Sequence, residues 1–176
     1  MTEFSTDRLL TEVPRRNRKM RIRPAGMVLV PLLAILFQVY LPRFFQYLGY
    51  LELPLLVTVY YALMRRQPIP GLLFGAAVGL GQDSLSQHPI GMFGIVKTLV
   101  GYFAASVSMR FDVDNPFIQF MLGFFFFCFH QFFTWMEARA LLGQQIDFNP
   151  QQTLLFGLLN AAVALPLFML LDKMKE

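Results

Sequence analysis

A lone cysteine, Cys128, has no partner within these 176 residues, so no disulfide framework braces the chain. The thiol sits in a phenylalanine-rich run and reads as a small apolar core residue. Histidines number only two, His88 and His130, whereas zinc or iron asks for three or four convergent ligands. The sequence also has no Walker loop, no HExxH, no GxSxG and no CxxC. The closest thing to a carboxylate pair, Asp112 and Asp114, stands just before Asn115 and Pro116, where turn formation and helix initiation account for it. No cofactor and no metal are expected. Charge is scarce as well, at 15% of residues.

Apolar residues fill the space that charge leaves. They make up 56% of the chain, 20 of them are phenylalanines, and mean hydropathy is +0.50. They come in blocks such as Met27 to Tyr40 and Phe117 to Phe129, not at amphipathic spacing. A soluble domain of this length would show the spacing, and blocks point to a membrane. The fold class expected is all-α: a polytopic membrane protein with one domain of six transmembrane helices over residues 27–176, behind a basic tail over residues 1–26.

The six spans are predicted at Met27 to Tyr47, Leu53 to Met64, Pro70 to Ser86, Pro89 to Met109, Pro116 to Ala140 and Gln151 to Leu171, the second and third being short. Basic residues orient them. Arg8, Arg15, Arg16, Arg18, Lys19, Arg21 and Arg23 in the tail, Arg65 and Arg66, Arg110, and Lys173 and Lys175 fall on one side, against Arg43 and Arg139 on the other. The positive-inside rule makes the first side cytoplasmic, with both termini there. The tail lacks the short apolar run and small-residue cleavage site of a signal peptide. Its basic cluster is a topology signal or a grip on anionic membrane lipids; without stacking aromatics, nucleic acid is not an expected partner. Tyr40, Tyr47, Tyr50 and Trp135 belong near the outer interface as anchors. Connections are short, so function must sit in the spans or on their rims.

The stretch from Gly71 to Gly101 is the most informative. Gly71, Gly75 and Gly79 recur every four residues and lead to Asp83, so a helix carries them along one ridge ending in a carboxylate. Small residues at that spacing let another helix approach closely, and the ridge is expected to face a neighbouring helix, that of a partner protein in the reading favoured here. Charges inside a bilayer are costly and need a reason. Asp83 and Lys97 reach similar depth on consecutive antiparallel spans, and an ion pair between them is expected, either fixing how the two spans pack or lining a cleft or partner contact. His130 and Glu137 share a face of the fifth span, two turns apart. Interhelical hydrogen bonding is the leading reading for both and for Asn160 in the sixth span, with proton relay by His130 and ligand contact by Asn160 as alternatives.

From Leu53 to Val107 the chain resembles the bacterial rod shape-determining protein MreD family. Pro54 opens a short span, Tyr60 and Tyr61 follow, then come the glycine ladder with Asp83, and Pro89, Gly91 and Gly101. The long basic tail and Gln82 depart from the family pattern. The resemblance implies a non-enzymatic inner-membrane subunit of the cell-elongation machinery, partnered with MreC and linked to the MreB filament and to the peptidoglycan glycosyltransferase and transpeptidase. It also implies an architecture similar to the substrate-binding components of energy-coupling vitamin transporters. Membership of such a transporter is therefore the alternative function, against which the short outer loops weigh.

Overall fold

A computed structural model describes residues 24–86 and 89–174. The tail as far as Arg23, with His88 and Lys175, lies outside the described residues. Six α-helices account for about three quarters of the described residues: α1 (Pro24–Tyr40), α2 (Leu53–Arg65), α3 (Pro68–Leu85), α4 (Met92–Ser108), α5 (Pro116–Ala140) and α6 (Pro150–Asp172). Among the described residues there is no strand. Four segments, Ala25–Arg43, Gln46–Arg65, Pro116–Ala140 and Pro150–Asp172, are long and apolar enough to cross a membrane, and α4 is a shorter apolar helix. The molecule is a polytopic α-helical membrane protein.

Local chemistry sets the helix ends. Proline at the first or second helical position opens α2, α3, α5 and α6, where its missing N–H costs nothing. The Asn115 and Asn149 side chains add caps, accepting from Phe117 N at 2.9 Å and Gln152 N at 3.2 Å. Asp112 Oδ1 accepts from Asp114 N at 3.3 Å, so this acid pair forms a turn. The first helix stops at Tyr40, short of the expected Tyr47, and Pro42 stands at the opening of the 3-10 turn that follows. Two 3-10 turns, Leu41–Arg43 and Gln46–Tyr50, carry the chain into α2.

Helix α2 is the hub. Every residue from Pro54 to Met64 is buried, as befits a helix that is hydrophobic on all sides. Leu55, Leu56, Val59 and Leu63 pack with Val96, Val100 and Ala104 of α4, Phe126 and Phe127 of α5, and Ala164 and Phe168 of α6. Two tyrosines tie its C-terminal end to the outer helices: Tyr60 Oη donates to Asp172 Oδ1 at 2.7 Å and Tyr61 Oη to the Gly26 carbonyl at 2.9 Å. The bundle thus has a near rim, with the start of α1, the α2–α3 and α4–α5 turns and the end of α6. The far rim carries the other three connections.

Candidate functional site

The tightest seam in the molecule joins α3 to α4. A methyl group at Gly75 would run into the Lys97 carbonyl oxygen, and one at Gly79 into that of Phe93. Gly71 and Gly101 oppose each other so closely that neither has room for a side chain. The ridge of α3 therefore rests on the residues 93, 97 and 101, the matching every-fourth-residue row of α4. This corrects the expectation that it faces a partner protein: the space is filled by the chain's own backbone.

One turn beyond Gly79, Asp83 completes the row. Its carboxylate, 1% exposed, accepts from the backbone N–H groups of Gly91 at 2.9 Å, Phe93 at 3.0 Å and Gly94 at 3.0 Å. Those are the otherwise orphaned donors of the first turn of α4, so Asp83 caps α4 from another helix. Gly91 makes this possible: at φ +104° it adopts a left-handed conformation that glycine tolerates, folding the turn back over the carboxylate. It also explains why α4 begins at Met92 and not at Pro89.

The expected ion pair of Asp83 with Lys97 is not formed. Three backbone donors occupy the short aspartate side chain, and the Nζ of fully buried Lys97 has its contacts elsewhere. Its Nζ lies 3.3 Å from His130 Nε2, 4.0 Å from Glu52 Oε2 and 4.6 Å from the centre of the Phe93 ring. As an ammonium the lysine has only donors, and in that state it donates to an imidazole whose proton is on Nδ1. Phe93 and His130 stack with centroids 5.9 Å apart. One cation thereby joins α4, α5 and the entrance to α2, and a carboxylate, an imidazole and a ring face offset its burial.

Asn160 holds that entrance from α6. Its Oδ1 accepts from Glu52 N at 2.8 Å, and its Nδ2 donates to the Tyr50 carbonyl at 2.8 Å and the Phe156 carbonyl at 2.9 Å. The bonds to Glu52 and Tyr50 fix the last 3-10 turn against α6, which aims Glu52 at Lys97, while the third stays within α6. Glu137 is not hydrogen-bonded into the cluster through its buried Oε2. Together with His130 and Thr134 it forms a file along α5 in which His130 Nδ1, Thr134 Oγ1 and Glu137 Oε2 are buried without a hydrogen-bond partner. Trp135 Nε1 donates to the Ile146 carbonyl at 2.9 Å, which folds the α5–α6 connection over this end.

Sequence reasoning missed Glu52. It stands directly before the helix-opening Leu53 and Pro54, yet it is the one acid in the apolar block from Tyr47 to Met64, and that isolation was a usable signal. In the fold it borders two cavities of the far rim. One, of about 360 Å³, lies between the ends of α1 and α3. The other, of about 370 Å³, lies between α5 and α6, beside Thr134 and Trp135. Among the described residues no three His, Cys, Asp or Glu side chains gather as a metal-ligating group.

Chemically, the arrangement locks helices together. A carboxylate caps a helix, an amide clamps a turn, and a buried cation joins three elements, all behind an apolar exterior. The class defined is a polytopic helical membrane protein whose intramembrane polar groups serve internal assembly. The family model described as rod shape-determining protein MreD matches residues 20–174, and the chain belongs to that family. It is accordingly a membrane protein that determines rod shape. No curated protein and no solved structure matches the chain. The expected likeness to vitamin-transporter components thus rests on the sequence resemblance alone, and the family match lends the transporter alternative no support.

Proposed function

We propose that this protein is a non-enzymatic scaffold subunit of the bacterial cell-elongation complex in the inner membrane. It crosses six times, with α3 and α4 as the third and fourth spans and both termini in the cytoplasm. The orientation follows from Arg65, Arg66, Arg110 and Lys173 at the near rim, against Arg43 and Arg139 at the far rim. Its partner is MreC, whose membrane helix meets the lipid-facing surface, and through that complex it supports the MreB filament and the peptidoglycan glycosyltransferase and transpeptidase.

One observation carries the reading: Asp83, Lys97 and Asn160, the polar residues a membrane enzyme would turn on a substrate, are each engaged by backbone or side chains of the same chain. What remains for other proteins is an apolar exterior, the surface on which membrane helices associate by packing. The test is affinity purification of the tagged full chain from native membranes in mild detergent. MreC should co-elute in near-stoichiometric amount. A well-folded chain that emerges without MreC would overturn the scaffold reading.

A further inference from the structure

The cavity between the ends of α1 and α3 has a chemistry that the scaffold reading leaves unused. Gln82 is only 3% exposed, its Oε1 has no hydrogen-bond partner, and its side chain lines the cavity. Gln38 Oε1 and Ser86 Oγ, from the other lining residues, are likewise buried and unpartnered. Buried oxygens in that state call for donors from elsewhere. The Glu52 carboxylate is on the same wall. At the mouth stands a cation of opposite requirement: Arg43 is exposed, its guanidinium held 5.3 Å over the Tyr40 ring. Leu85, also at the mouth, is 43% exposed.

A ligand that fits must offer several N–H donors to the interior and an anion to the rim, on a body that tolerates apolar surroundings. We propose that this cavity binds the headgroup of an aminophospholipid, a primary ammonium joined through a short linker to a phosphate diester. The ammonium has three N–H bonds for Gln38 Oε1, Gln82 Oε1 and the Glu52 carboxylate. The phosphate takes the Arg43 fork in the bidentate geometry that guanidinium favours, with the Ser86 hydroxyl as a further donor. The acyl chains leave past Leu85 into the bilayer. Lys97 already balances Glu52 from behind, so the wall is close to neutral and the rim arginine selects for the phosphate.

The chemistry makes a sharp comparison. A quaternary choline headgroup has the same phosphate and a comparable cation but no N–H at all. The full chain in detergent is offered equal amounts of phosphatidylethanolamine, phosphatidylcholine and phosphatidylglycerol with matched acyl chains, and retained lipid is read by native mass spectrometry. Phosphatidylethanolamine should be kept about tenfold over phosphatidylcholine, the worth of one charge-assisted hydrogen bond. Gln82→Leu should bring it down toward the phosphatidylcholine level, whereas Arg43→Ala, which removes the partner of a phosphate both lipids share, should lower retention of both together. The lipid-free thermal midpoint, measured alongside, shows that each variant is still folded. Equal retention of the two lipids, or a preference that survives the double variant, overturns the proposal. Free phosphoethanolamine bound as tightly as the lipid would overturn the lipid assignment in favour of a soluble ligand. None of these outcomes depends on MreC, so failure here is distinct from failure of the scaffold reading.

Discussion

Replacing Gly75 by alanine adds a single methyl group, and the structure says where it goes: into the backbone carbonyl of Lys97. A clash with a flexible side chain relaxes at small cost, but this one is with helix backbone, so α3 and α4 must move apart along their length. Overpacking of that kind costs about 1–3 kcal/mol, and a rigid obstacle puts the value toward the upper end. Alanine returns about 1 kcal/mol through its higher helix propensity. The net is a loss of about 2 kcal/mol, or a midpoint lowered by about 4–8 °C for a chain of this size. Gly81 supplies the control on the same helix, because its added methyl group would meet only the tip of Ile35, at 3.4 Å. Gly81→Ala should be neutral or raise the midpoint by up to about 4 °C. The assay is thermal unfolding of both variants in one detergent. If Gly75→Ala and Gly81→Ala shift together, α3 does not rest on α4 through its glycines, and the packing argument fails.

Other side chains make comparably direct predictions. Asp83→Ala leaves three N–H groups at the start of α4 without an acceptor, so stability should fall by about 3 kcal/mol and hydrogen exchange at Gly91, Phe93 and Gly94 should accelerate; unchanged protection there would remove the cap. Lys97→Met and Glu52→Gln, singly and together, should show a coupling of about 1 kcal/mol or more in a double-mutant cycle of unfolding free energies, whereas strict additivity would mean the 4.0 Å approach carries no energy. Asn160→Leu strips the Tyr50 carbonyl and the Glu52 N–H of their partner, which should cost about 2–3 kcal/mol by denaturant titration; an unchanged midpoint would mean that the turn is held by packing alone.

The sequence is legible where local chemistry decides. The fifth helix runs over the expected Pro116 to Ala140 because an asparagine cap and a proline mark its start and the apolar block fixes its extent. The membrane class followed from the same blocks. What escaped the reading depends on direction in space. Periodicity put Gly71, Gly75, Gly79 and Asp83 on one ridge, but not which helix fills it, since a close approach within a chain and one between chains leave the same pattern. Depth placed Asp83 and Lys97 near each other. The pairing failed because three backbone N–H donors take the aspartate at hydrogen-bond distance, while the lysine nitrogen is in contact with His130 and Glu52. Glu52 was passed over because its role exists only once Asn160, more than a hundred residues later, pins its backbone.

These contacts describe a rigid body built from the inside. The glycine row lets α3 and α4 touch, Asp83 fixes where α4 starts, and that register delivers Lys97 to His130 and Glu52. For the scaffold role proposed above, close backbone packing and interhelical hydrogen bonds of this kind hold the helices in one register. The surface left for partners is then the outward-facing side of the bundle.

The most direct measurement is a cryo-electron-microscopy map of the chain bound to MreC, read at the ridge of α3. The account predicts that the carbonyls of Phe93, Lys97 and Gly101 of the same chain lie against Gly79, Gly75 and Gly71, with the MreC helix elsewhere on the apolar exterior. A map with the MreC helix seated on those glycines and α4 displaced from them would contradict it.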